Sequence, residues 1–146
     1  MVDLWGFKNF TELEVSTQDM PDSILKEQIG LLAEKTNYHL YGKARSIKIR
    51  SEDIFFKLAT IFDIVVPSLD NYSVTILIMY SNPESDYPVA ISVGNSLEED
   101  IESFNPRYNC EDKEGFIESI KEILDSQEVL HMVKILFSKA NMLSDH

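Results

Sequence analysis

The chain has 146 residues, 44% of them hydrophobic, and 25 acids against 13 Lys and Arg residues, which gives a formal net charge of −12. This length fits a single domain spanning residues 1–146, and 8 Phe and 6 Tyr side chains support a core rather than a disordered chain. The acidic balance argues against nucleic-acid or anionic-membrane binding, which cationic side chains drive, and is compatible with a basic protein partner.

The cellular compartment follows from the cysteine and apolar patterns. Cys110 is the single cysteine, which excludes an intramolecular disulfide and fits a reducing compartment. The segment Met1–Asp22 lacks the basic and apolar regions of a secretory signal. Since no uncharged apolar run approaches the roughly 20 residues that cross a bilayer, we expect a cytoplasmic protein without a membrane partner.

Residues 1–20 contain three aromatic side chains, Trp5, Phe7 and Phe10, at spacings that suit burial. We expect this segment to form an arm that packs on the domain through its aromatic side chains. The alternation from Glu12 to Val15 is typical of a short strand.

A helix is predicted to begin at Pro21, because proline fits the first helical turn. It should end near Thr36-Asn37, where Asn accepts a left-handed cap. Gly30 inside this helix costs up to about 1 kcal/mol relative to Ala. Either another element packs closely there or the cost is tolerated.

Tyr38–Arg50 predicts a strand whose hydrophobic phase changes midway. A β-bulge near Arg45–Ser46 would keep its four apolar residues facing inward, namely Leu40, Ala44, Ile47 and Ile49. The stretch is basic and carries Lys43, Arg45, Lys48, Arg50 and, further on, Lys57. These charges predict a sheet edge protected against edge-to-edge pairing, with an anion site as the alternative.

Three more strands are predicted in succession: Ile54–Val66, Tyr72–Tyr80 and Tyr87–Val93. Their period-2 rows place one face in the core and leave the other partly wet. The rows are Phe56, Leu58, Thr60, Phe62, Ile64 and Val66, then Tyr72, Val74, Ile76, Ile78 and Tyr80, then Val89, Ile91 and Val93. Asp63 has the parity of Lys57, so we expect it on the exposed face.

The segment Gly94–Cys110 is acidic, and its apolar Leu97, Ile101 and Phe104 recur at i, i+4 and i+7. This spacing predicts either a short helical turn with its acids outward or a loop pinned by the three apolar side chains. Phe104, Tyr108 and Cys110 are interpreted as packing residues.

Two helices are predicted to close the chain. The first begins at Asp112 or Lys113, and the second, Gln127–Ala140, has Ser126 as its candidate N-cap. A break at Asp125-Ser126 separates them, with one bent helix as the alternative. Residues 142–146 should fray.

This order of elements predicts an α+β domain: an antiparallel meander of about four strands with an N-terminal helix and two C-terminal helices packed on one face. No catalytic motif stands out. His39, His131 and His146 lack metal-type spacing, so no metal, no cofactor and no enzymatic activity are predicted.

Charge is the feature that points to function. From Glu98 to Glu128 there are eleven acids and three bases, so this fifth of the chain carries −8 of the −12. A negative field of this kind speeds capture of a basic partner. The predicted partner-binding residues are Glu98, Glu99, Asp100, Glu102, Phe104, Tyr108, Glu111, Asp112, Glu114 and Glu118.

Three stretches carry a family resemblance: Pro21–Thr36, with the sequence PDSILKEQIGLLAEKT, Val66–Tyr72, with VPSLDNY, and Asp86–Val89, with DYPV. Together they resemble a family of small uncharacterised bacterial proteins of the toxin-immunity or accessory kind, over about Pro21–Ala140. The matching motifs are helix caps and turn residues, so the resemblance implies no site residue.

Two main hypotheses follow. The first is a non-enzymatic protein-binding module, an immunity protein that neutralises a basic toxin through an acidic surface. The alternative is a small-ligand-binding protein or enzyme with a pocket between sheet and helices, for which Tyr72, Tyr80 and Tyr87 are candidates. A structural or self-associating domain is the remaining possibility, and the oligomeric state stays open.

Overall fold

A computed structural model of the chain describes residues 2–93 and 106–144. Within them lie four helices and a five-stranded sheet, so the predicted α+β class is confirmed, with one strand more than expected. The elements are α1 (Phe10–Ser16), α2 (Pro21–Lys35), β1 (Tyr41–Lys48), β2 (Leu58–Val66), β3 (Tyr72–Asn82), β4 (Ser85–Val93), β5 (Tyr108–Cys110), α3 (Lys113–Leu124) and α4 (Gln127–Ser144).

The sheet is an antiparallel meander in which the five described strands lie side by side in chain order. Helices α2, α3 and α4 cover one of its faces, as predicted. Between them and the sheet lies the larger of two cores, which we call the helix-side core. Its fully buried side chains include Leu25, Leu40, Ile64, Leu77, Ile91 and Phe116.

Local capping sets the helix boundaries. Helix α2 begins at Pro21 and is capped by Thr36, and Asn37 follows with a left-handed φ of 51°. The backbone N–H of Gly115 donates to Asp112 Oδ1 at 2.8 Å and starts α3. The backbone N–H of Val129 donates to Ser126 Oγ at 3.2 Å, which confirms the predicted break before α4.

Helix α4 is longer than expected. It continues to Ser144, so the fraying predicted from residue 142 onward is wrong for Met142–Ser144. Residues 145–146 lie outside the described part of the chain.

A second, smaller core lies on the opposite face of the sheet, which we call the second core. The connection between β1 and β2 supplies part of it, because Ile54 and Phe56 are buried there without belonging to a strand. The predicted strand start at Ile54 is therefore wrong. The second core consists of Ile49, Ile54, Phe56, Ala59, Ile61, Ile78, Tyr80 and Ala90.

The bulge lies elsewhere than predicted. Strands β1 and β2 pair without a register shift from Tyr41↔Val65 to Lys48↔Leu58, so a bulge near Arg45–Ser46 is wrong. Leu40 and Ile49 are instead buried in different cores, while Ala44 and Ile47 stay exposed. This arrangement satisfies the apolar residues at both ends of β1 without any change of phase within the strand.

The register shifts between β2 and β3. Phe62 faces Leu77 and the next residue of β2 faces Thr75, which leaves Ile76 as an extra residue in β3. The predicted row from Tyr72 to Tyr80 therefore splits: Ile76 contributes to the helix-side core and Ile78 to the second core.

The predictions for residues 1–20 are wrong on two counts. Phe10–Ser16 forms α1 and not a strand, because Asn9 Oδ1 accepts a hydrogen bond from the backbone N–H of Glu12 at 3.1 Å and caps a helix. None of the seven residues of α1 is buried. Trp5 is 77% exposed and Phe10 73%, so the predicted packing is wrong for these two side chains, whereas Phe7 is half-buried.

Candidate functional site

Helix α3 aligns four carboxylates on one side. Glu114, Glu118 and Glu122 follow each other at i, i+4 and i+8, and Asp125 caps the helix at i+11. With 3.6 residues per turn, the four lie within an arc of about 80° around the helix axis. All four are exposed, and the two ion pairs of the described residues do not include them. We call Glu114, Glu118, Glu122 and Asp125 the acidic face.

Only part of the predicted partner-binding set is brought together here. Glu114 and Glu118 belong to the acidic face, and the exposed Glu111 precedes it. Asp112 is exposed too, although its carboxylate caps α3. Tyr108 is half-buried in β5. The remaining predicted residues, Glu98, Glu99, Asp100, Glu102 and Phe104, lie outside the described residues.

Two members of the acidic face, Glu122 and Asp125, were absent from the predicted set although they lay in the acidic stretch of the sequence. The signal that identifies them is the four-residue spacing from Glu114 and Glu118, because such spacing places side chains on one helix face. The density of charge along the sequence does not show which acids share one helix face.

A groove of about 690 Å³ separates α2 from α3, and we call it the α2–α3 groove. Its apolar lining comes from Ile24, Ile117, Ile120 and Leu124. Ile117 is 42% exposed. The groove therefore contains accessible apolar surface beside the acidic face.

Charged groups border this groove. Lys113 Nζ lies 2.7 Å from Asp19 Oδ1, which ties the start of α3 to the residues before α2. Lys121 and Glu27 lie along the lining, and Asp125 belongs both to the groove and to the acidic face. The two surfaces are thus contiguous.

The Cys110 side chain is buried, and the Tyr87 side chain is half-buried with its Oη shielded from solvent. Burial raises the pKa of the Cys110 thiol, and Asp112 and Glu111 add to this, while a hydrogen bond with Ser119 opposes it. Burial likewise raises the pKa of the Tyr87 phenol. Both groups therefore stay protonated at neutral pH.

Asp63 is 4% exposed, so its predicted place on a wet face is wrong. Thr75 Oγ1 donates to Asp63 Oδ1 at 2.6 Å, and Arg45 Nε donates to Oδ2 at 3.4 Å. The bulge beside Asp63 and the closure of the second face account for its burial. A carboxylate held by a hydroxyl and a guanidinium serves as a structural anchor.

The three tyrosines of the pocket hypothesis lie apart. Tyr72 is exposed, Tyr80 is buried in the second core, and Tyr87 contacts Phe116 on the helix side with ring centroids 6.4 Å apart. They do not line one cavity, so they do not support the small-ligand hypothesis. That hypothesis stays a prediction.

The basic stretch lies at the edge of the described sheet, as predicted, because β1 pairs only with β2 among the described strands. Lys43, Arg45 and Lys48 are exposed there. The three exposed basic side chains of β1 thus lie on a different element from the acidic face of α3.

No three His, Cys, Asp or Glu side chains in residues 2–93 and 106–144 are grouped so that they could hold a metal ion. None of the described helices has the length and apolar character needed to span a membrane. No protein-family model, no curated protein and no solved structure matches the chain.

Proposed function

We propose that this protein is a non-enzymatic protein-binding module that captures a basic partner on its acidic face. The observation that carries the proposal is the alignment of Glu114, Glu118, Glu122 and Asp125 on one exposed side of α3. The pairs Glu114–Glu118 and Glu118–Glu122 are like charges at i, i+4, which repel and destabilise the helix slightly, whereas Asp125 lies four residues after Lys121. A basic partner would relieve this repulsion.

The expected advantage of such a face is kinetic. A surface of one charge sign steers an oppositely charged protein, and it raises the association rate by about 10- to 1,000-fold at low ionic strength. Contiguous apolar surface is then available to slow dissociation, and the α2–α3 groove borders the acidic face. Fast capture and slow release are what an immunity protein against a basic toxin requires.

The test begins with capture of the partner by the tagged protein from its host cells. The association rate of the identified partner is then measured at about 20 mM and 200 mM salt, between which the Debye length falls from roughly 20 Å to 7 Å. The proposal expects a basic polypeptide whose association slows by about tenfold or more with added salt. If that partner is a toxin, co-expression should restore growth of the cells that make it.

A charge-matched pair of variants isolates the acidic face. The triple variant Glu114→Gln, Glu118→Gln, Glu122→Gln should slow association at low salt by about tenfold or more. The control variant Glu34→Gln, Glu52→Gln, Glu84→Gln changes the net charge equally at exposed positions on other elements, and should slow it by less than about threefold. Equal effects of the two variants, or an acidic partner, would refute the proposal.

A further inference from the structure

A cavity reaches into the helix-side core where α2 and α4 meet the sheet, and we call it the α2–α4 cavity. Its volume is about 220 Å³, which is room for several water molecules. Strands β2 and β3 form its floor through Phe62, Ile64 and Ile76, none of which is more than 3% exposed. Protein interiors contain few voids larger than one water molecule, so a cavity of this size is a candidate ligand site.

The bulge in β3 supplies part of the cavity floor. Ile76 is the extra residue of the bulge, and both Ile76 and the next residue, Leu77, belong to the helix-side core. Regular alternation would send one of these two neighbours to the opposite face of the sheet. Bulges bend a strand and are frequent beside functional sites, where they re-aim a side chain. In β3 the bulge directs Ile76 towards the cavity.

The lining of the cavity is almost entirely apolar. Of its ten described residues, eight are aliphatic or aromatic, and the other two are Gln28 and Lys35 of α2. Apolar cavities stay dry, and an engineered one of about 150 Å³ in another protein binds benzene. A ligand with an apolar body therefore gains the burial of its own surface without displacing ordered water.

Lys35 gives the cavity a positive charge. It is exposed, so it marks the mouth of the cavity, and Leu31, one helical turn before it, is 37% exposed. The two ion pairs of the described residues do not include Lys35. None of the described lining residues is an Asp or Glu, although the chain carries 25 acids against 13 bases. The mouth therefore offers a cationic donor to a ligand with an anionic head group.

We propose that the α2–α4 cavity binds a small monocarboxylate whose apolar body has about six to eight carbons. The body lies against Phe62, Ile76 and Val133. At the mouth, the carboxylate accepts hydrogen bonds from Lys35 Nζ and from the side-chain amide of the half-buried Gln28. This inference goes beyond the proposed partner binding and does not depend on it.

The volume of the cavity sets the size of this ligand. The six carbons of benzene occupy a cavity of about 150 Å³, so about 220 Å³ holds about nine non-hydrogen atoms in proportion. Octanoate fits this limit, because its chain fills the cavity while its carboxylate stays at the mouth. Octan-1-ol has the same chain without the charge and is the matching neutral probe.

Isothermal titration calorimetry of the full chain with octanoate tests the site. We expect one saturable site with a Kd of about 1 mM or lower. Octan-1-ol should bind at the same site more weakly, since it lacks the charge-assisted hydrogen bonds. Methyl signals report local contacts, so NMR spectra should show octanoate-induced shifts concentrated on Leu32, Ile76, Val129 and Val133.

Charge reversal at the mouth tests the role of Lys35. Lys35→Glu should raise the Kd of octanoate by about fivefold or more and leave that of octan-1-ol within about twofold, because only the carboxylate is then repelled. Lys26→Glu is the matched control, since Lys26 is exposed on the same helix and lies outside the cavity lining. It should change the octanoate Kd by less than about twofold, because about 13 Å of helix separates it from Lys35.

Filling the cavity tests the location of the ligand. Val133→Phe should abolish binding of both probes, and circular dichroism establishes that this variant is folded. Ile135→Phe is the control, because Ile135 is 45% exposed on α4 and lies outside the cavity lining, and it should bind octanoate as the unaltered protein does. Val133→Ile is a second, milder filling variant that adds one methylene, and it should weaken octanoate binding by about threefold or more.

The proposal fails if octanoate shows no saturable binding up to about 10 mM, or if the NMR shifts lie away from the cavity lining. Equal affinities for octanoate and octan-1-ol would overturn the recognition of the carboxylate, and so would equal effects of Lys26→Glu and Lys35→Glu. Undiminished binding by Val133→Ile and by folded Val133→Phe would place the ligand elsewhere and would equally refute the proposal.

Discussion

The two faces of the sheet are closed by different means. Helices α2, α3 and α4 cover one face, and their buried side chains recur at helical spacing along the sequence. The other face is closed in part by the connection between β1 and β2, which supplies Ile54 and Phe56 from irregular backbone. Sequence periodicity therefore predicts which residues cover the helix side of the sheet. The residues that cover the opposite face are identified only from the tertiary structure.

Strand β3 offers the most direct comparison of these faces. Leu77 and Ile78 are adjacent, both are fully buried, and they belong to different cores. If the second face is closed as tightly as the helix-covered one, both Leu77→Ala and Ile78→Ala should lower the free energy of unfolding by about 2–5 kcal/mol. Urea titration of the two variants measures this.

A difference between the two substitutions would sharpen the comparison. A loss below about 1 kcal/mol for Ile78→Ala, with a full loss for Leu77→Ala, would mean that the second face is wet, because an exposed site leaves no cavity. A β-branched residue favours strands, so Ile78→Val serves as the control that keeps this preference and removes a single methylene.

The buried polar group of the second face gives the next largest effect. Thr75→Val removes the hydroxyl that donates to the buried Asp63 at 2.6 Å, and we expect a loss of about 1–3 kcal/mol. The matched control is Thr60→Val, which removes the Thr60–Ser46 hydroxyl contact of 2.9 Å at an exposed site. Thermal unfolding of both variants should show the smaller loss for the exposed pair, and equal losses would contradict the burial of Asp63.

Two glycines probe the helix-covered face. A Cβ on Gly42 would lie 2.6 Å from the backbone oxygen of Ile29, so Gly42→Ala must push α2 away from β1 and should cost about 1–3 kcal/mol. A Cβ on Gly30 meets nothing within 4 Å, so Gly30→Ala should stabilise the protein by up to about 1 kcal/mol. The midpoint of chemical denaturation should therefore fall for Gly42→Ala and rise for Gly30→Ala. A midpoint that rises for both variants would contradict the close approach of α2 to β1.

Local chemistry explains which elements were predictable. Pro21, Asp112 and Ser126 fix helix starts through contacts within a few residues, and the sequence alone predicts all three starts. Strand β5 has only three residues and leaves no periodic pattern. Its position depends on pairing with β4 from Val89↔Cys110 to Ile91↔Tyr108, which is a contact between distant parts of the chain.

The same distinction applies to the candidate site. The acidity of the stretch is a property of composition, and the alignment of Glu114, Glu118 and Glu122 follows from helical spacing once α3 is placed. The groove beside them depends on how α2 and α3 pack together. The exposure of Ile117 also depends on that packing, so neither was predictable.

The smallest effect appears only in alkaline solution and tests the helix-covered face once more. The Tyr87 phenol has an ordinary pKa of 10.0, and burial raises this pKa in the folded protein. Below pH 10 the phenol is protonated in both states and contributes nothing to pH dependence. Above pH 10 the unfolded chain loses its proton first, so the free energy of unfolding should fall as pH rises towards the folded pKa.

Tyr87→Phe removes this contribution, and its stability should decline less steeply above pH 10 than that of the unaltered protein. The substitution should cost little at neutral pH, because Tyr87 Oη is buried without a hydrogen-bond partner among the described residues. Tyr72→Phe deletes an exposed phenol and is the control. If Tyr87→Phe destabilises the protein at pH 7 by more than about 1 kcal/mol, the hydroxyl has a partner after all, and the helix-covered face is wetter than its apolar lining indicates.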